Sequence, residues 1–392
     1  MIKYKTLFYI LLGTSPFINT SFIPGAKLPM VYLVMLFVIG VIVIARDRVP
    51  SRIFGSEDIA FSCFLTVSLL SVYINAWSWP MTHGVTQVIN LLLTYLIYKV
   101  AQFLLVKSAL PKDEMLPTIF KCYSWIQVPA LILLVFGNFN REFNIEFIHA
   151  INNAGNFDVG AIESVYPNIR LTGFSPEPSF WSFFVAINIA VGLSLKRFSP
   201  WLMAVNGVSL LVTVGRTGYL IAACILVIWF IQGKVWRTSL IAGAALIAAF
   251  FMREYFTPQK LMSVDDSFRQ RIDSMLVAFN LGCNNPFFGI GLGNFQVFAE
   301  QQHLDYGNIF NWYLNVFALI GVAGIATWMI FSIFLLRRIQ ERYWLPVFGA
   351  FVGWLTVSAF NLPFVWVVFA ALVCASTSKH ENETLTHASA AD

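Results

Sequence analysis

An all-α polytopic membrane protein is the fold class that three observations in this sequence predict. Hydrophobic residues make up 58% of the chain and charged residues 11%, against about 25% charged in soluble domains. The apolar residues gather in runs near ~20 long, the length a helix needs to cross the hydrocarbon core. Lys and Arg then alternate between the turns in a way that assigns those turns to two sides.

The expected spans run Thr6–Ile23, Leu28–Ala45, Asp58–Trp77, Gly84–Val106, Pro117–Gly137, Ser179–Leu195, Trp201–Gly215, Gly218–Ile231, Thr238–Tyr255, Ile309–Leu336, Tyr343–Phe360 and Pro363–Ser376, about twelve transmembrane helices. Lys3 and Lys5 precede the first run with no small-residue cleavage site after it, so it reads as a retained span. Placing the N-terminus inside puts Arg46, Arg48 and Arg52, then Lys107 and Lys112, Lys196 and Arg197, Lys234 and Arg237, Arg337, Arg338 and Arg342, and Lys379 on inner turns. The turns Trp77–His83 and Asn361–Pro363 hold no Lys or Arg and fall outside. Tyr32, Trp77, Trp79, Trp181, Trp201, Trp236 and Trp344 sit near span ends and are expected to form interfacial aromatic belts.

The chain reads as one integral membrane domain, residues 1–378, followed by a polar cytoplasmic tail, 379–392. Two polar islands interrupt it, at 138–178 and 257–308, and both are expected outside. Polar loops of this length are uncommon without a function. No internal repeat is visible. Cys63, Cys122, Cys224 and Cys374 lie in spans and Cys283 stands alone in its loop, so neither a disulfide framework nor a C-x-x-C metal site is expected. The net charge of +5 sits mostly at span ends and points to the bilayer rather than to nucleic acid.

Four charged groups exceed what span ends need. Pro176 and Pro178 bracket Glu177 at the mouth of the sixth span, with Arg170 upstream; a first-turn acid for the helix dipole is the structural alternative. Arg216 lies between Gly215 and Gly218 at the junction of two short spans, where a charge at membrane depth costs ~2.5–3.5 kcal/mol and two glycines let the backbone approach a ligand. Arg269 and Arg271 stand on the stretch Asp266–Leu281, whose Phe268, Ile272, Met275, Leu276 and Phe279 share a helical face suited to lying on the membrane. The following Asn285–Phe295 carries Gly289, Gly291 and Gly293. Its spacing is not that of a nucleotide loop, and it reads as a Gly-rich turn docking onto the bundle. His303 with Asp305, and Asp265 with Asp266, are too few for a metal site; no metal or cofactor is expected.

Three segments together resemble the O-antigen polymerase and O-antigen ligase superfamily. The stretch from Arg271 through Met275 and Ala278 to Asn285-Pro286-Phe-Phe-Gly289-Ile-Gly291-Leu-Gly293-Asn294-Phe295 is similar to the family's Arg-x-x-x-Trp segment and the Gly-rich turn after it. The stretch Phe310-Asn311-Trp312-Tyr313-Leu314, with Leu319, Gly321 and Gly324, matches the family's His-Asn-x-x-Leu helix in register. Arg170, Gly173 and Glu177-Pro178 resemble an Arg…Glu-Pro segment of exopolysaccharide polymerases. The family's His is Phe310 here and its Glu is Leu319, which favours the polymerase branch over the ligases.

The resemblance implies a GT-C-like integral membrane glycosyltransferase in the bacterial inner membrane. It implies an undecaprenyl-diphosphate-linked glycan as donor and a lipid-linked repeat unit as acceptor, with inversion and no metal. Arg216, Arg170 and Glu177 become the candidate catalytic groups: the guanidinium forks for the leaving diphosphate, the carboxylate as base for the acceptor hydroxyl. His303 and Asp305 remain open as bases. Arg269, Arg271, His303, Asn311 and Tyr313 become candidate substrate-binding residues, and a chain-length regulator becomes a candidate partner. The competing expectations are a ligase and a lipid-linked oligosaccharide flippase or other transporter. Transporters concentrate charge near the midplane and show repeats, whereas the polar weight here is on the outer loops.

Overall fold

The computed structural model describes residues 4–17, 30–45, 49–50, 53–139, 178–213, 215–231, 266–304, 306–357 and 360–376. All regular structure among them is helical. The helices are α1 (Tyr4–Thr14), α2 (Met30–Ile44), α3 (Ser56–Ile74), α4 (Met81–Lys107), α5 (Lys112–Phe139), α6 (Pro178–Leu193), α7 (Pro200–Thr213), α8 (Arg216–Ile231), α9 (Asp266–Asn284), α10 (Phe295–Gln301), α11 (Trp312–Arg337), α12 (Trp344–Thr356) and α13 (Pro363–Ser376). Each expected span coincides with one of these, except Thr238–Tyr255, which lies outside the described residues. Helices α3, α4 and α11 are long and apolar enough to cross a membrane, and α2, α6, α7, α8 and α13 are shorter apolar helices.

Helix α13 is the axis of the bundle. Its sequence PFVWVVFAALVCAS is apolar all round, and every residue from Pro363 to Ser376 is buried, as such a helix requires. It packs on α4 and α5. Trp366 meets Tyr98 and Phe360 edge-on at 6.0 and 4.7 Å, and its indole N–H donates to the Phe360 carbonyl at 2.8 Å. Outward-facing Leu36, Phe37, Ile59, Leu211 and Met329 are exposed, the surface that lipid would cover.

Close approaches align the helix ends. A Cβ on Gly218 would stand 2.5 Å from the Ser182 Cβ, one on Gly353 would meet the Phe183 ring at 2.5 Å, and one on Gly349 would meet Ile225 and Ile187 at 2.9 and 3.2 Å. Positions 182, 218 and 353 therefore share one level. The start of α6, the start of α8 and the end of α12 lie together at one end of the bundle. Asn311 and Tyr313, at the start of α11, bond to the last two turns of α12 and place that helix start at the same rim.

The opposite end holds a buried ion network. Glu57 is fully buried and accepts from Arg338 and from Lys99 Nζ at 3.4 Å. Asp58 takes Lys99 Nζ at 2.6 Å and the Tyr95 hydroxyl at 2.6 Å. Arg337, Lys107 and Lys112 belong to helix ends on this side, so these expected inner cations gather at one end of the structure.

One expectation about side chains is corrected. Trp77 is 96% exposed and Trp201 and Trp344 are exposed, but Tyr32 and Trp181 are buried core residues, not belt residues. The Tyr32 hydroxyl pairs with Thr94 Oγ1 at 3.2 Å, and Trp181 packs on Phe184 at 4.9 Å. Trp236 lies outside the described residues. On α9 the buried positions are Ser274, Ala278 and Gly282, while Leu276 and Phe279 are exposed. A Cβ on Gly282 would collide with the Phe317 ring at 2.3 Å. Small residues four apart let α9 approach α11 closely, so its large apolar side chains turn outward.

Candidate functional site

The rim is built around a helix that breaks. Within α11, Gly321 has φ 75° and ψ −165°, a left-handed φ that a side chain disfavours. The Gly-rich turn enters the break. Ile290 N donates to Ala318 O at 3.0 Å and Gly291 N to Leu319 O at 2.9 Å, while Val322 N donates to Pro286 O at 2.7 Å and Ala323 N to Phe287 O at 3.3 Å. These four bonds replace the two helical ones that would join Val322 to Ala318 and Ala323 to Leu319. The Ala318 and Leu319 carbonyls and the Val322 and Ala323 amides are thereby satisfied, as irregular backbone inside an apolar bundle requires.

The pairing leaves no room for side chains. A Cβ on Gly321 would lie 2.4 Å from Phe287 C, and one on Gly289, itself at φ 61°, would lie 2.3 Å from Leu319 C. Helix α3 fastens both partners. The single hydroxyl proton of Ser71 is shared between Phe288 O at 2.6 Å and Leu319 O at 2.8 Å, and Asn75 Nδ2 reaches Gly289 O at 3.2 Å. The Gly-rich turn thus docks onto the bundle as its sequence implies.

Arg271 is placed by α9 and α12. Its Nη1 donates to Thr356 O at 2.9 Å, one of the last carbonyls of α12, where a cation also suits the helix dipole. Its guanidinium carbon lies 4.6 Å from the Phe310 ring centre, within cation–π range. Asn311 has two jobs. Its Oδ1 accepts from Leu314 N at 3.0 Å, capping α11, and its Nδ2 donates to Leu355 O at 2.9 Å. The Tyr313 hydroxyl donates to Phe351 O at 3.2 Å.

Arg216 is exposed and is the first residue of α8, on the same rim. A cation there opposes the helix dipole by about 0.3–1 kcal/mol, so local helix energetics do not account for it. Gly218 serves packing rather than ligand approach: its N–H donates to Ser182 Oγ at 3.1 Å, and its missing side chain admits α6. Arg269 is exposed, two residues before Arg271 on α9 and so about 200° around the helix from it. His303 is exposed at φ 51°, just past α10. Glu177, Arg170 and Asp305 lie outside the described residues.

Arg216, Arg271, Asn311 and Tyr313 are thus gathered at one rim. Sequence reasoning passed over Ser71 and Asn75, which hold the break together. Polar residues in the last turn of an otherwise apolar span were the available signal. It also passed over Lys99, a charge inside an expected span whose carboxylate partners come from α3.

Residues 201–329, about a third of the chain, match the family model described as O-antigen ligase. The match runs from α7 through α8, α9, the Gly-rich turn and the broken α11. No curated protein matches the chain.

Proposed function

We propose, from the chain's membership of the O-antigen ligase and polymerase superfamily, that it is a polysaccharide polymerase of the inner membrane. Members of that superfamily are membrane enzymes that transfer glycans, acting on lipid-linked oligosaccharides. In our reading the donor is a polyprenyl-diphosphate-linked glycan and the acceptor a lipid-linked repeat unit, joined at the outer face by a GT-C-like bundle of about twelve spans with both termini cytoplasmic. A chain-length regulator is a candidate partner.

The reaction makes one bond and breaks one. An acceptor hydroxyl oxygen attacks the anomeric carbon, the carbon–oxygen bond to the diphosphate breaks with inversion, and the hydroxyl proton passes to a base. Negative charge grows on the leaving oxygens, so fixed cations help the transition state more than the ground state. Arg216 and Arg170 fill that role, with Arg271 and Arg269 holding the donor's phosphate or glycan. Glu177, which immediately precedes α6 in the sequence, takes the proton. Asn311, Tyr313 and His303 line the glycan path. Metal is not required where guanidinium groups neutralise the diphosphate.

The observation that carries this reading is the convergence of Arg271 with the start of α11 over the docked Gly-rich turn. It joins at one rim the segments whose residues resemble the family's motifs. Position 310, where the resemblance expects His, touches Arg271 but is Phe. An imidazole is absent from the place that ligases are taken to use, and this supports polymerase over ligase. The description of the matching family model supports the ligase alternative.

A deletion strain separates these readings. Loss of polymer with single lipid-linked units accumulating on the outer face supports the polymerase. Polymer that persists but stays unattached to its lipid acceptor sinks it in favour of a ligase, and units trapped on the inner face sink it in favour of a flippase.

A further inference from the structure

At the end of the bundle away from the rim, a cavity of about 260 Å³ lies between the ends of α4 and α13 and the start of α5. Arg338, Lys112 and Gln102 line it together with apolar Leu105, Met115 and Val373, and no carboxylate among the described residues does. Asp113 and Glu114, next to Lys112, are exposed and lie off its wall.

Gln102 is 1% exposed, and its Nε2 has no hydrogen-bond partner among the described residues. Its Oε1 is occupied by Lys99 Nζ at 3.3 Å. A buried amide donor left without an acceptor is unfavourable, so an acceptor in the cavity is the missing element. Arg338 is oriented by fully buried Glu57, which Lys99 also contacts. Glu57 and Asp58 against Lys99 and Arg338 make a neutral set, and Lys112 adds one positive charge at the mouth. Donors and cations on one wall and hydrocarbon on the other, at a helix-end level, match a phosphate group carrying an apolar chain.

We propose that this cavity binds a phosphate-bearing amphiphile, of the class of anionic phospholipids. Its phosphate oxygens accept from Gln102 Nε2, Arg338 and Lys112, and its chain runs along Leu105, Met115 and Val373. The proposal concerns the face opposite the rim and stands independently of the reading of transfer chemistry.

The test uses the full chain purified in detergent, with phosphatidylglycerol, phosphatidylcholine or inorganic phosphate added, read by native mass spectrometry and by thermal unfolding. Wild type is expected to retain one phosphatidylglycerol under conditions that strip phosphatidylcholine, and inorganic phosphate alone is expected to raise the unfolding temperature little. Gln102→Leu and Lys112→Gln should each weaken phosphatidylglycerol about tenfold, the loss of one charge-assisted bond. Val373→Phe, which fills the apolar wall without touching the ion network, should weaken it as well. Equal retention of the two lipids, or unchanged retention in all three variants, overturns the proposal. Inorganic phosphate that stabilises as strongly as the lipid overturns the amphiphile in favour of a soluble anion.

Discussion

Arg271 and Phe310 meet at the rim with the guanidinium carbon 4.6 Å from the ring centre, while the same guanidinium closes the end of α12 through Thr356 O. A Lys at 271 keeps the charge and loses the planar fork that stacks and bonds at once. Arg271→Ala should therefore lower the stability of the rim by about 1–2 kcal/mol, one cation–π contact and one charge-assisted hydrogen bond, and should abolish chain extension in cells. Arg271→Lys should retain most stability and little activity. Thermal unfolding of the purified variants beside polymer profiles on gels checks both; full activity in the Lys variant would show that charge alone suffices there.

Gly321 and Gly289 are the positions where the broken helix and the docked turn share backbone. Gly321→Ala imposes a left-handed φ on a Cβ-bearing residue, about 1–2 kcal/mol, and also drives its Cβ against Phe287. Gly207, by contrast, has open space where a Cβ would go. Gly321→Ala should lose polymer and raise hydrogen exchange across residues 285–294, while Gly207→Ala behaves as wild type. Unaltered exchange in Gly321→Ala would mean that the turn docks without the pairing described.

Ser71→Ala tests the clamp from α3. It removes the donor shared by Phe288 O and Leu319 O; Leu319 O keeps Gly291 N, so the cost falls on Phe288 O, about 1 kcal/mol. Exchange at the Gly-rich turn should rise, while the distant ion network around Glu57 keeps its protection. Limited exchange change at the turn, with general loosening elsewhere, would assign Ser71 to the core rather than to the clamp.

The helices were legible because apolar runs of span length leave the backbone little alternative in lipid. Pro363–Ser376 matches its expected span at both ends. What was not legible depends on partners far away in the chain. Trp181 and Tyr32 carry the belt composition, yet neighbours on other helices bury them. The periodicity of α9 marked its large residues as one face, and Leu276 and Phe279 there are exposed; the small residues Ser274, Ala278 and Gly282 that pack towards α11 carried no signal of their own. The pairing of the Gly-rich turn with α11 is backbone to backbone, so only the glycines that permit it show in the sequence. The site was visible as a set of charged residues. Its rim became visible only when Gly218, Ser182 and Gly353 fixed a common level.

Arg216 begins α8 as a cation at a helix N-terminus, a place the dipole does not favour, and its charge is the one that the proposed reaction uses. Arg216→Ala is expected to insert normally and to yield no chain extension; normal polymer length would refute its role. Glu177→Gln should be far more damaging than His303→Gly, the latter suiting a position already at φ 51°. The reverse order, read from polymer yield in the two strains, would move the base to the large loop.

Deep between α5, α6 and α7, Asn206 joins three other side chains without serving the rim. Its Oδ1 accepts from Gln127 Nε2 at 2.5 Å and from Asn188 Nδ2 at 2.8 Å, and its Nδ2 donates to Ser124 Oγ at 2.7 Å. Interhelical bonds of this kind average about 0.6 kcal/mol in a membrane protein, but Asn206→Leu removes several and strands buried amides at about 1–3 kcal/mol each. The single variant should therefore lower the unfolding temperature clearly. Adding Gln127→Leu and Asn188→Leu should restore part of the loss, because it removes the stranded amides and leaves only Ser124, whose hydroxyl still donates to Phe120 O at 2.7 Å. A triple variant less stable than the single one would mean that the amides contribute more by packing than by pairing.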